Sequence, residues 1–401
     1  MKSKKKIVII ALLTFAHLSY AQNIIDFVEG IIFPKNYTTV IPYENINGKL
    51  IIKVDINGKP YRFIIDTGAA MTLVDKKILD DSNHSTFSVP VVDQSGKEEL
   101  LPVIKLNHIR IGHANFSEVP VITMDTDENP VFRCFNVDGI LGNHLLAYAI
   151  VRISSTDKTI TLTDDPSTLQ LNIEQSSEFS VNFGLPFIGV HFLNDVNAVL
   201  EPVLFDVGAN FLYQLRLEHL PYLQEQNFIQ PIVKSAGSTS IGVFGNAEEE
   251  IVFLVSIPKI EINGVVFNGI LTETAGNRNF SIVGSYLLDF GIITLDYINH
   301  LFYFEPFNKV NEANQKVIPI SPKISGDKLV VGIIWDIGLQ AQISVGDQIV
   351  SIDDIDYTNF SICDLLLGAF KDKDSIILGI KNAHGDIKQI TIERKDMLKG
   401  K

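Results

Sequence analysis

The chain carries one pattern twice: an apolar strand ending in aspartate and glycine, trailed at matched distance by a second apolar strand ending in glycine. The first copy reads Phe63-Ile64-Ile65-Asp66-Thr67-Gly68-Ala69, followed by Gly139-Ile140-Leu141-Gly142. The second reads Val203-Leu204-Phe205-Asp206-Val207-Gly208-Ala209, followed by Ser281-Ile282-Val283-Gly284. Asp66 lies 76 residues before Gly142, and Asp206 lies 78 before Gly284. A lone D-T-G tripeptide carries little information. Two copies at one spacing point to a duplicated fold unit.

The duplication reaches beyond these motifs. Each aspartate ends a strand-turn-strand, residues 49–66 around Asn57-Gly58 and residues 187–206 around Asn194-Asp195. Asn-Gly between alternating apolar runs predicts a hairpin, because both central residues must take positive φ. Ile109, Ile111 and Phe116 reappear 151 residues later as Ile260, Ile262 and Phe267. After the second glycine motif a shift of 142 takes Leu145 and Leu146 to Leu287 and Leu288, and Ile153 to Leu295. Two homologous β lobes follow, over residues 22–165 and 166–312, separated at Asp164-Asp165-Pro166-Ser167. Helices are expected after the two aspartate loops, at 75–80 and 216–226.

At 401 residues the chain has room for two or three cores. Its first 21 residues read as an export leader: Lys2, Lys4, Lys5 and Lys6, an apolar run over 7–16, and Ser19-Tyr20-Ala21. That run is shorter than the ~20 residues a membrane span needs, so a periplasmic or secreted location is expected. Without the leader, 29 Lys and Arg stand against 47 acidic residues, a net −18. Such a charge argues against nucleic acid and anionic membranes as partners. Cys134 and Cys363 are the only cysteines. Two isolated, buried thiols are expected, since a disulfide would have to join separate domains. No metal-ligand spacing occurs, so no metal and no cofactor is expected. Asp125-Thr126-Asp127-Glu128 reads as a solvated acidic loop, and His144 and His191 as structural residues in apolar surroundings.

Beyond a linker over 306–322 the pattern changes. A strand over 329–335, a helix over 361–370 and strands over 375–380 and 387–393 are expected. Between them runs Gly338-Leu339, then Val345-Gly346-Asp347, Ile349, Ser351-Ile352-Asp353. Trp335 reads as a core residue of this unit.

Two carboxylates a hydrogen bond apart cannot both ionise, so such a pair holds one shared proton and can activate a water. Gly68 and Gly208 allow the sharp loop each carboxylate needs. Two hairpins are candidate flaps over such a site: one turning at Asp93-Gln94-Ser95-Gly96, the other running from Ser235-Ala236-Gly237-Ser238 to Gly245.

With these residues in place, the two lobes resemble a bacterial retropepsin-like aspartic protease, and residues 320–396 resemble a PDZ domain. The resemblance covers nearly the whole chain after the leader. It implies a mainly β fold, with two acid-protease-like β-barrel lobes followed by a small α+β domain. It implies Asp66 and Asp206 as catalytic dyad in the loops Thr67-Gly68-Ala69 and Val207-Gly208-Ala209. The motifs Ile140-Leu141-Gly142 and Ile282-Val283-Gly284 would support them. In such families the loop threonine ties the two halves together; Thr67 has the hydroxyl and Val207 lacks it. Ala69 and Ala209 stand where pepsins usually carry a hydroxyl, which raises the expected pH optimum toward weak acidity. The expected activity is that of an exported, monomeric endopeptidase acting on extended peptides. The alternative is a catalytically silent peptide-binding protein. The PDZ-like unit departs at Ser325-Gly326-Asp327-Lys328, shorter than a carboxylate-gripping loop and carrying an acid, which leaves strand addition as its mode of holding a peptide.

Overall fold

The structure is a computed structural model describing residues 7–9, 31–33, 35–79, 87–127, 129–238, 241–276, 279–314, 316–326, 328–353, 355–358, 361–368 and 373–399. The chain is mainly β. Of the expected leader only Ile7–Ile9 falls within this set, as a strand parallel to Ala198–Leu200.

In the first lobe, Lys49–Ile56 and Lys59–Ile65 form the predicted hairpin, with Asn57 at φ 51 and Gly58 at φ 83. Its partner hairpin, Glu98–Ile111 and Ala114–Met124, completes a nine-stranded sheet with the strands around it. The second lobe repeats the plan with Leu185–Leu193, Ala198–Asp206, Glu250–Ile262 and Val265–Ala275. The repeated apolar residues Ile109, Ile111, Phe116, Ile260, Ile262 and Phe267 are all buried.

The lobes meet in a third, six-stranded sheet to which both contribute. At its centre Ile150–Ser154 runs antiparallel to Gly291–Asp296, pairing Val151 with Leu295, Arg152 with Thr294 and Ile153 with Ile293. The sequence shift of 142 exchanges the outer two pairs and maps Arg152 onto Thr294. An approximate twofold axis therefore passes through the middle pair, as in a symmetric dimer interface. One apolar cluster runs through both lobes, joining Ile65 and Ile153 to Phe205 and Leu295.

The C-terminal unit has its own sheet, Ile320–Ser325, Lys328–Ile334, Gln348–Ile352, Ser375–Lys381 and Ile387–Glu393, and its own core. Its expected helix is shorter, Ile362–Leu366, capped by the Ser361 side chain accepting from the Cys363 amide. The helix predicted at 75–80 is a single 3-10 turn, Lys76–Ile78, and that at 216–226 is Leu217–His219 continuing as Leu220–Glu225.

Four expectations are corrected. Cys134 and Cys363 are not free thiols but form a disulfide. The helix Ile362–Leu366 packs on Pro130–Phe135 of the first lobe and brings the two sulfurs together. Residues 306–322 are not a plain linker, because Val310–Glu312 adds a strand to the second lobe's sheet. Trp335 is buried, yet it lies outside the C-terminal core, packing against Val252 and Leu254 of the second lobe. His191 is not in apolar surroundings: it is about one-third exposed, with its Nδ1 4.0 Å from Glu261. His144 is buried, its Nδ1 accepting from the Thr72 amide at 3.2 Å, and desolvation pushes its pKa down to about 4, so it stays neutral.

Candidate active site

The backbone topology explains why both halves of the repeated pattern are needed. In the first lobe Gly139–Leu141 lies parallel to Phe63–Ile65 and antiparallel to Leu73–Asp75. In the second, Ile282–Gly284 threads in the same way between Ala198–Asp206 and Tyr213–Arg216. The Leu141 carbonyl accepts from the Asp66 amide at 3.0 Å and so fixes the end of the strand. The chain then crosses the loop closely. A Cβ on Gly142 would lie 2.2 Å from the Met71 carbonyl carbon, and one on Gly284 would lie 2.4 Å from the Phe211 carbonyl oxygen. Backbone cannot yield that much space, so both motifs must end in glycine. Just beyond, the Asn143 amide donates to Ala69 O and the Ser285 amide to Ala209 O, both at 2.7 Å.

The two aspartate loops face each other across the approximate axis. A Cβ on Gly68 would sit 2.5 Å from the Asp206 carboxyl carbon, and one on Gly208 would sit 2.5 Å from that of Asp66. Each glycine amide donates to the aspartate two residues before it, at 2.8 Å for Asp66 and 2.7 Å for Asp206. Each carboxyl thus lies against the glycine of the opposite loop, which brings the two acids together between the lobes. Burial raises the Asp66 pKa most, from the ordinary 3.8 to about 8; the Asp206 charge adds to the rise, while Lys49 and the Gly68 amide oppose it. A half-buried carboxyl pair holding a shared proton could deprotonate a water on one side and donate to a carbonyl on the other.

The tie between loops is one-sided. The Thr67 hydroxyl is buried; it donates to the Phe205 carbonyl at 2.7 Å and accepts from the Val207 amide at 3.0 Å. Val207 is fully buried in the apolar cluster and has no hydroxyl to return the contact.

The first candidate flap forms as read, with Phe87–Val92 and Glu98–Ile111 joined by a turn. The Asp93 carboxylate holds this turn, accepting from the Ser95 amide at 2.8 Å, while Gln94 and Gly96 complete it. The second candidate differs. Ser235, Ala236 and Gly237 end the strand Gln230–Gly237, and Ser238 follows it; none of them forms the tip. They face the C-terminal unit instead, where Ser235 Oγ accepts from the Ile334 amide at 3.3 Å and Gly237 abuts the Gly332 carbonyl. The tip lies further on, at Val243 and Phe244, between the paired segments 241–242 and 245–246. It meets the first flap: the Phe244 amide donates to Asp93 Oδ2 at 2.7 Å, and Asn129 Nδ2 donates to the Val243 carbonyl at 2.7 Å. Both tip side chains pack against the same apolar cluster of the first lobe, with Ile64, Leu73 and Val89, that Ala69 and Met71 also pack against. The two hairpins thus meet beside the Asp66 loop.

Two residues at the site escaped the sequence reading. Lys49 opens a strand of the first lobe, and its ammonium donates to the Gly208 carbonyl of the second. Asn47, beside it, donates to the Leu366 carbonyl of the C-terminal helix at 2.9 Å. The acidic loop shows no metal-ligand cluster among the described residues; Asp125 and Asp127 pair with Lys76 and Lys77 at the surface. A groove of about 740 Å³ opens between the C-terminal unit and the lobes, lined by Ile318, Ile320 and Leu365 on one side and by Asn47, Asn210 and Tyr286 on the other. No described helix is long and apolar enough to cross a membrane.

Comparison with curated protein sequences finds no match. Among solved structures, conglutin gamma, a basic 7S globulin of lupine seeds, is 11% identical at a TM-score of 0.43, over 68% of this chain and 95% of that one. The soybean basic 7S globulin is 10% identical at 0.41, over the same shares. Residues 52–145, which hold Asp66 and the first glycine motif, match the family model of an aspartyl protease.

Proposed function

We propose that the chain is an exported aspartic endopeptidase in which Asp66 and Asp206 share one proton and activate a water against a peptide carbonyl. The observation that carries this reading is the placement of the two carboxyls on mirrored loops from two lobes, each against the glycine of the other loop. The ionised carboxyl takes a proton from the attacking water. The protonated one donates to the carbonyl oxygen, and the amine leaves after receiving a proton from the pair. The family match over residues 52–145 supports a protease-like first lobe. An extended peptide suits a cleft between two sheets closed by two hairpins. Because both carboxyls lie on one chain, a monomer suffices. The sequence leader and the Cys134–Cys363 disulfide favour an oxidising compartment outside the cytoplasm. The C-terminal unit is proposed to be PDZ-like and to take a peptide strand in the groove beside Ile318 and Leu365, so raising the local concentration of substrate.

The test is digestion of casein and a peptide library between pH 4 and 8, with Asp66→Ala as control. The expected result is cleavage by the native chain alone. Cleavage at the native rate by Asp66→Ala removes the dyad. A second reading, a peptide-binding protein without turnover, is favoured by Val207, which lacks the second tie. It predicts peptide binding that is indifferent to Asp66→Asn.

A further inference from the structure

Lys49 breaks the approximate twofold symmetry of the candidate active site with a charge. In the first lobe Ile51 pairs with Ile64, two residues before Asp66; in the second, Phe187 pairs with Leu204, two before Asp206. The residue matching Lys49 in that register is therefore Leu185, which has no charge. Lys49 crosses the lobe boundary and its ammonium donates to the Gly208 carbonyl, within the second aspartate loop. The turn that presents it is tightly held. The Gly48 amide donates to Asn45 Oδ1 at 2.9 Å, and the Ser285 hydroxyl bridges Gly48 O at 3.0 Å and Ala209 O at 2.9 Å. On its outer side Asn47 is bonded to the Leu366 carbonyl.

A carboxyl pair with one proton carries one negative charge, and burying such a charge is costly without a counter-charge. The groups acting on Asp66 are Asp206, which opposes its ionisation, and Lys49 and the Gly68 amide, which favour it. Thr67 supplies one tie between the loops, and the mirrored tie at Val207 is missing. We propose that Lys49 is a positioning residue that neutralises the shared charge of the Asp66–Asp206 pair. It also clamps the Asp206 loop to the first lobe, where Val207 cannot. One cation then sets the pH range over which the pair holds a single proton. The proposal rests on the reading of Asp66 and Asp206 as a working pair.

The experiment is a ¹³C-carboxyl aspartate titration of the full chain, with Asp66→Asn and Asp206→Asn to assign the pair. It compares the native protein with Lys49→Met, Lys49→Arg and Lys49→Gln, the last keeping a donor without charge. Loss of the cation should raise the upper titration step by about one unit in Lys49→Met and Lys49→Gln, and leave it near native in Lys49→Arg. The kcat/KM profile should move to higher pH by the same amount, whereas a purely structural role would lower it without moving it. Should Lys49→Met fail to fold, Lys49→Gln gives the reading. A native titration in the uncharged variants overturns the proposal. Absence of turnover in every protein defeats the endopeptidase reading instead, and the titration still decides whether Lys49 acts on the pair.

Discussion

Asp66 binds more protons in the folded chain than in the unfolded one between its ordinary 3.8 and its folded value of about 8. Stability contributed by this group is therefore full in acid and is lost as pH rises through that window. Asp66→Asn should flatten the fall in Tm between pH 5 and 8 and give the higher Tm at pH 8; differential scanning calorimetry across that range checks it. An unchanged slope would mean the carboxyl is not buried in its acid form. Val207→Thr should restore the second tie, with its hydroxyl reaching the Ile65 carbonyl by symmetry with the Thr67–Phe205 bond. A net hydrogen bond of about 1 kcal/mol corresponds to roughly a five-fold rise in kcat/KM if it acts in the transition state. A fall in both kcat/KM and Tm would show the hydroxyl buried without a partner. The aspartates and glycines were legible because sterics and shared charge leave few alternatives at those positions. Lys49 was not, because nothing along the sequence tells which way a lysine at a strand's first residue will turn.

The strands and their turns were the most readable elements, since alternation and Asn-Gly chemistry act locally. The tip of the second hairpin is not legible in the sequence, because Val243 and Phe244 look like ordinary apolar residues. Only the fold shows that they pack against the first lobe's apolar cluster. The Asp93 side chain holds both its own turn and the Phe244 amide. Asp93→Ala should thus loosen the paired hairpins and raise KM for peptides about ten-fold while leaving kcat within a few-fold, since each lost bond is worth ~1 kcal/mol. Steady-state kinetics on a short peptide separates the two; a fall in kcat alone would place Asp93 outside substrate closure. Gly142→Ala should be far more damaging, because its Cβ meets the Met71 backbone at 2.2 Å. A loss of at least about 2 kcal/mol in urea unfolding is expected.

At the scale of the molecule, the C-terminal unit is attached to both lobes. Trp335 and the Ile334–Ser235 bond hold it to the second lobe, and Cys134–Cys363 and the Asn47–Leu366 bond join it to the first. The indole nitrogen of Trp335 donates to Glu273 at 3.1 Å, and burial raises the pKa of that carboxyl. The fold class was legible from the repeat, but the disulfide was not, because its cysteines lie 229 residues apart and meet only through the docking of one short helix on another. Closing so long a loop should stabilise the folded chain by about 2–4 kcal/mol. Cys363→Ser should lower the Tm by several degrees, as circular dichroism will show, and an unchanged Tm would mean the docking is held by packing alone. Whether both lobes serve one site is tested most directly by single-turnover rates of peptide cleavage in Asp66→Asn, Asp206→Asn and the double variant. Residues that act as one unit do not lose activity additively. Each single change should abolish cleavage about as completely as the pair does. An Asp206→Asn protein that cleaves at the native rate would contradict the account, leaving the second lobe without a part in the chemistry.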